Sequence, residues 1–151
     1  MTVNPRASEA RDWQRLAVLG AVGAHLALTG SHAVAHVSIP VPNPDWQIAY
    51  ALLVLLGLPV AGAGLAVRGA VGRGALLVFV GGVGGLIFEV LAHFVVHSPD
   101  HVASVESGRA LFAGTAGLSV VGDALLVAAG GWVLWAHSQG RSRSAVTSST
   151  R

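Results

Sequence analysis

The chain of 151 residues has no cysteine, a single methionine and no lysine, since all nine of its basic residues are arginine. The lack of cysteine excludes disulfides, thiolate metal sites and iron–sulfur clusters, and one methionine is too few for a soft sulfur site that would hold Cu(I). Charged residues make up only 11% of the chain, whereas a soluble domain carries about 25%. Any metal ion in this chain must therefore be held by imidazole and carboxylate groups.

Long apolar stretches are what the chain has in abundance, and hydrophobic residues make up 53% of it. A membrane-spanning helix needs about 20 apolar residues, and four stretches are long enough, at residues 16–37, 46–67, 74–97 and 111–137. These stretches predict an all-α fold, namely an integral membrane four-helix bundle with short loops over residues 14–137. Residues 1–13 are expected to form a polar N-terminal segment, and residues 138–151 a disordered cytoplasmic tail.

The arginines lie almost entirely on one side of the predicted bundle. Eight of the nine flank helix ends on that side, namely Arg6, Arg11, Arg15, Arg68, Arg73, Arg141, Arg143 and Arg151. Only Arg109 falls on the other side. Because cytoplasmic segments are enriched in Lys and Arg, we expect a multi-pass protein of the cell membrane with both termini in the cytoplasm. This use of arginine indicates orientation in the bilayer, and no nucleic-acid partner is expected.

Ionisable side chains follow one face of the first and third apolar stretches. The first stretch carries His25, His32 and His36, and the third carries Glu89, His93 and His97. Spacings of seven and four residues put each set on one side of a helix. Ionisable groups inside a bilayer are costly and usually mark a site or a pathway. We therefore expect helices one and three to turn these faces toward each other.

The depth of each group follows from the helical rise of about 1.5 Å per residue. His36 and His97 then form an outer tier near the extracellular surface, and His32 and His93 lie one turn deeper. A third tier near the midplane contains His25, Glu89 and, from the fourth helix, Asp123. The deep His25 and Asp123 are expected to support the outer groups or to relay protons.

A transition metal site is the function that this pattern favours. His-x-x-x-His places two imidazoles one turn apart on one face, so that both can bind one ion. The predicted ligands are His32, His36, Glu89, His93 and His97. Nitrogen and oxygen ligands without sulfur suit Zn²⁺, Fe, Mn, Ni or Cu(II), and several of these ions are redox-active.

A b-type haem is one alternative use of the same histidines. A membrane bundle can hold haem between imidazoles of two helices, and His32 and His93 are the predicted axial ligands. The chain would then be a haem-binding subunit of a membrane complex.

Two further alternatives need no bound metal. Histidine titrates near neutral pH, so the three tiers of ionisable residues could belong to a proton or metal-ion transport component. Four helices are few for a transporter, which would favour a homo-oligomer or a larger membrane complex. Alternatively, Glu89 and Asp123 could serve as catalytic acids of a membrane isomerase or cyclase.

Overall fold

The computed structural model describes residues 5–149, with side chains described over residues 8–139. It confirms the all-helical fold, and the described part of the chain contains no strand. Four helices are each long and apolar enough to cross a membrane. They are α1 (Pro5–Ser38), α2 (Asp45–Val67), α3 (Val71–Val95) and α4 (Arg109–Ser149). The orientation of these helices in a bilayer stays a prediction.

The helix boundaries follow from the residues at the breaks. Three prolines stand between α1 and α2, where they cannot continue a helix. Gly69, with φ of 87°, makes the turn from α2 to α3, and Gly108, with φ of 72°, precedes α4. A left-handed backbone is readily adopted only by glycine, which explains both residues. The connection between α3 and α4 also contains a 3₁₀ turn at Val102–Ser104.

Two helices extend beyond the predicted spans. The backbone of α1 is helical from Pro5, inside the predicted polar segment, and that of α4 continues to Ser149. Proline is favoured in the first turn of a helix, and no proline follows residue 99 to end α4. Disorder of the tail stays a prediction, and residues 1–4 and 150–151 lie outside the described part.

Glycines allow the helices to approach closely. α4 packs against both α1 and α3, and α2 packs mainly against α3. A Cβ at Gly82 would lie 2.7 Å from Leu126 Cβ, and one at Gly62 would lie 2.7 Å from the Gly74 carbonyl oxygen. Within the described residues, the core of the arginine-rich half of the bundle is apolar. Its buried residues are Val18, Val22, Ala66, Val71, Ala75, Val78, Leu126 and Val133.

Two π-helical segments interrupt the regular α-helices. One covers Ala51–Gly57 in α2, and the other covers Leu91–Val95 at the end of α3. The first ends two residues before Pro59, and a proline inside a helix kinks or interrupts it. A proline has no N–H, so the carbonyl of Leu55, four residues earlier, lacks its helical donor. His25 supplies one from α1, because its Nε2 lies 2.8 Å from that carbonyl oxygen.

Candidate metal centre

Three histidines from two helices meet inside the bundle. His32 and His36 lie one turn apart on α1, and His93 faces them from the π segment of α3. One nitrogen from each of the three rings lies within 4.8 Å of the others, which is close enough to bind one ion. His32 and His93 are buried, and His36 is half-buried. Helices one and three therefore do turn their imidazole faces toward each other, as the sequence predicts.

The hydrogen bonds of His93 fix which of its nitrogens is free. Its Nδ1 lies 3.0 Å from the backbone carbonyl oxygen of Asp100. A carbonyl can only accept, so Nδ1 carries the proton and donates. In the neutral ring, Nε2 then has a free lone pair, and it points at His32.

The ring of His32 is fixed in the same way from α4. Its Nδ1 lies 3.1 Å from the Thr115 hydroxyl oxygen. That hydroxyl already donates to the carbonyls of Leu111 and Phe112, so it accepts from Nδ1. The Nε2 of neutral His32 is therefore also unprotonated, and it lies 3.0 Å from Nε2 of His93. Two lone pairs this close repel each other unless a cation or a proton lies between them.

Glu89 adds a third electron-pair donor at the same point. Its Oε2 lies 3.0 Å from Nε2 of His93 and makes no hydrogen bond within the described residues. The carboxylate is buried, at 2% exposure, and contacts His93 one turn later on α3. A buried carboxylate oxygen needs a cation or a hydrogen-bond donor, because burial removes its water, and either a metal ion or a proton on Nε2 of His93 would supply one.

Asp100, in the loop after α3, contacts two of the three histidines. Its Oδ1 lies 3.4 Å from Nε2 of His36, and its Oδ2 lies 3.5 Å from Nδ1 of His93. Burial raises the pKa of the Asp100 carboxyl to about 6, although nearby His93 favours the carboxylate. Nδ1 of His36 contacts the Asn43 amide at 3.1 Å. An amide can present its nitrogen or its oxygen, so Asn43 can support either tautomer of His36.

Phe112 of α4 packs against all three imidazoles. Its ring is fully buried, and its centroid lies 5.0 Å from that of His32, 4.9 Å from that of His36 and 5.5 Å from that of His93. A large rigid ring at this point restricts the orientations that the imidazoles can take. The three histidines are therefore held by packing as well as by hydrogen bonds.

His97 does not join this group, although the sequence places it on the same helical face. α3 ends at Val95, and Val96 is extended, with φ of −85° and ψ of 120°. Pro99 disfavours a helical residue before it, and this restriction on Ser98 helps to end the helix early. His97 is exposed, and its ring lies 4.7 Å from that of His101. Its role as a ligand stays a sequence prediction without support from this geometry.

A second polar group lies deeper in the bundle. Nδ1 of His25 lies 3.3 Å from Oδ1 of Asp123, and both side chains are fully buried. Thr29 lies beside His25, and the Ser119 hydroxyl donates to Thr29 Oγ1 at 3.0 Å. The Asp123 carboxyl packs against Gly85, one turn before Glu89 on α3. The deep tier is therefore His25 with Asp123, whereas Glu89 belongs with the histidines above it.

Three residues of the site escape the sequence pattern. Asp100 looks like an ordinary loop acid, Thr115 like a small residue of a packing stripe, and Phe112 like an apolar residue of α4. Their roles depend on tertiary contacts that periodicity does not encode. The one local signal is that Asp100 follows His93 by seven residues across a proline turn, which can bring the chain back over its own helix.

Comparisons of this chain with protein-family models, with curated proteins and with solved structures found no match. What the fold and the site establish is a set of four candidate membrane-spanning helices and a buried histidine cluster that could hold a metal ion.

Proposed function

We propose that this chain is a membrane protein that binds a transition metal ion through His32, His36 and His93. Glu89 is the fourth ligand, and Asp100 orients the imidazoles. The observation that carries the proposal is the pair of Nε2 atoms 3.0 Å apart, while the Nδ1 atom of each ring lies within hydrogen-bond distance of an acceptor. Hydrogen bonds of this kind typically hold metal-binding histidines in their ligating tautomer.

The spacing of the ligand atoms fits a small ion. Two ligands of a tetrahedral ion with bonds of about 2.0 Å lie about 3.3 Å apart. Nε2 of His93 lies 3.0 Å from both Nε2 of His32 and Oε2 of Glu89, so an ion can bind between them with small shifts. Three imidazoles and one carboxylate suit Zn²⁺, Fe, Mn, Ni or Cu(II), and the choice among them stays open.

The haem alternative has less support from this geometry. A porphyrin would have to lie between the Nε2 atoms of His32 and His93, which are 3.0 Å apart and flanked by Glu89. The Phe112 ring also packs against both imidazoles on the α4 side. A haem would therefore require the helices to separate.

Proton binding is the second candidate, and a specific contact favours it. A single proton on Nε2 of His93 would satisfy both Oε2 of Glu89 and Nε2 of His32, and the His25–Asp123 pair lies just below. The apolar core in the arginine-rich half argues against a path through the whole membrane. The form of this alternative that agrees with the apolar core is a proton relay that ends inside the bundle.

The alternative of a membrane isomerase or cyclase with Glu89 and Asp123 as its catalytic acids has less support, because the two carboxyls contact different histidines.

Metal analysis of the purified protein tests the proposal directly. The protein is purified through an affinity tag without histidine, and its metal content and absorption spectrum are measured. We expect about one equivalent of a transition metal and no Soret band. The double variant His32→Ala/His93→Ala should lose at least nine-tenths of that metal while still inserting into the membrane.

The matched control removes two histidines that lie outside the cluster. The double variant His97→Ala/His101→Ala changes the same number of imidazoles in the same half of the bundle, and it should keep its metal. Loss of metal in this control would mean that His97, His101 or both take part in metal binding. A wild-type protein without stoichiometric metal, even after exposure to each candidate ion, would contradict the proposal and favour the proton alternative.

A further inference from the structure

A pocket of about 410 Å³ lies in the arginine-rich half of the bundle, away from the histidine cluster. Three side chains from three helices line it, namely Arg11 of α1, Arg73 of α3 and His137 of α4, together with residues 69–72. All three side chains are exposed. No acid lines the pocket among the described residues. A concave surface with basic groups on three sides and no acid suits an anion.

The two arginines of this pocket have no partner of their own. Neither Arg11 nor Arg73 makes an ion pair or a side-chain hydrogen bond with the residues that the structure describes. Glu9 and Asp12 are close to Arg11 in the sequence, but neither lines the pocket. A guanidinium group matches two oxygens of a phosphate with two parallel N–H donors. Both arginines are therefore free to contact one phosphate group, from two different helices.

His137 adds a donor from α4. A Cβ at Gly72 would lie 3.6 Å from three atoms of the His137 ring, so the imidazole lies against the first turn of α3. An imidazole has at least one N–H donor in either tautomer. α3 begins at Val71, no side chain caps its first turn, and the backbone N–H groups of such a turn also favour an anion. These donors add to the charge of the two arginines.

Two exposed tryptophans place the pocket at the level of lipid headgroups. Trp13 follows Arg11 by two residues on α1, and Trp135 precedes His137 by two residues on α4. Each tryptophan therefore lies about 3 Å nearer the middle of the bundle than the pocket. They are 69% and 61% exposed, and exposed tryptophan is enriched at the boundary between headgroups and acyl chains. A pocket just outside that boundary lies where lipid phosphates lie, which favours a lipid over a phosphate dissolved in water.

We propose that this pocket binds the phosphate group of an anionic phospholipid, with Arg11 and Arg73 as charged donors and His137 as the third donor. Basic pockets between membrane helices typically bind anionic headgroups. The volume of about 410 Å³ lies within the range of about 300–1,000 Å³ that is usual for small ligands. The bound headgroup connects α1, α3 and α4 at one end of the bundle. The proposal is independent of the metal centre, whose ligands lie in the other half.

Two lipids that differ only in their headgroup test the proposal. The full chain in a neutral detergent is titrated with phosphatidylglycerol and with phosphatidylcholine of the same acyl chains, and bound lipids are counted by native mass spectrometry. We expect one phosphatidylglycerol molecule to bind at least about tenfold more tightly than phosphatidylcholine, because a hydrogen bond to a charged group is typically worth about tenfold or more in affinity. Equal affinities for the two lipids would overturn the proposal.

A matched pair of double variants separates the pocket from the general positive charge of this end. Arg11→Gln/Arg73→Gln should remove the preference for phosphatidylglycerol. Arg15→Gln/Arg68→Gln removes the same charge from exposed positions that do not line the pocket, and it should keep the preference. The unfolding temperature in phosphatidylcholine nanodiscs should equal that of the wild type for both variants. Equal losses of the preference in the two variants would overturn the pocket as the site.

Inorganic phosphate separates a lipid site from a site for a free anion. An excess of inorganic phosphate should displace little of the phosphatidylglycerol, because the acyl chains also bind to the bundle. Full displacement, with phosphate retained on the protein, would overturn the lipid as the occupant. None of these measurements involves the metal, so their failure would leave the proposed function unchanged, and a protein without metal could still show the lipid preference.

Discussion

At the scale of single residues, the site depends on partners that hold the imidazoles of His32 and His93 in one tautomer. The sequence predicts His32, His36, Glu89 and His93 because they share helical faces, and the structure brings these four together. It could not predict Asp100, since the loop that returns this residue to His93 has no periodicity. Residues that repeat along a helix can be read from the sequence, whereas residues that approach from a loop or another helix cannot.

Removal of the Thr115 hydroxyl should weaken metal binding without removing a ligand. Thr115→Val keeps the shape of the side chain but leaves Nδ1 of His32 without its acceptor. Partners of this kind are typically worth about 10–100-fold in metal affinity. We expect a loss in that range in a competition titration with a chelator, and Thr115→Ser should restore most of it. Thr29→Val is the control, because Thr29 contacts His25, and its affinity should be unchanged.

The two intramembrane carboxyls should respond differently to the same acid-to-amide change. Glu89→Gln removes the negative charge beside Nε2 of His93, so we expect metal affinity to fall at least tenfold. Asp123→Asn changes a group that contacts His25 instead, and an amide can still donate to Nδ1 of that ring. Its metal content should equal that of the wild type. Equal losses in the two variants would mean that both carboxyls bind one ion.

At the scale of helices, the two π segments do most to shape the site. One places His93 at the end of α3, and the other lies before Pro59, where a carbonyl is released to His25. Proline at position 59 is visible in the sequence, and it predicts an irregular helix. Nothing in the sequence of residues 91–95 distinguishes a π-helical turn from an α-helical turn. The sequence therefore predicts the number of helices and their approximate positions, but not the ends of α1 and α4 or where α3 ends relative to His97.

Close packing of α3 on α4 should be sensitive to a single methyl group. A Cβ at Gly82 would lie 2.7 Å from Leu126 Cβ and 2.9 Å from Val127 N, so the two helices must separate. Overpacking of this kind costs about 1–3 kcal/mol, and Gly82→Ala should lower the thermal unfolding temperature in detergent. Gly114→Ala, on an open face of α4, should be neutral or slightly stabilising. An equally stable Gly82→Ala variant would show that the contact is not tight in the membrane.

At the scale of the whole molecule, the bundle divides into two halves of different chemistry. The half that carries most of the arginines is closed by an apolar core, and the other half contains the histidine cluster. The division follows from the sequence, because the three histidines of the cluster and eight of the nine arginines lie toward opposite ends of the apolar stretches. This division alone does not show which half faces the cytoplasm.

The absence of cysteine makes the orientation directly measurable. Glu106→Cys lies in the loop after α3, and Gln139→Cys lies at the end of the candidate membrane span of α4, Arg109–Gln139; both positions are exposed, and no other thiol competes. In the sequence, eight of the nine arginines flank the apolar stretches on the side of Gln139, so that end should face the cytoplasm. A membrane-impermeant maleimide should label Glu106→Cys in intact cells and Gln139→Cys only after permeabilisation. The reverse pattern would place the histidine cluster in the cytoplasmic half, where it would exchange metal with the cell interior.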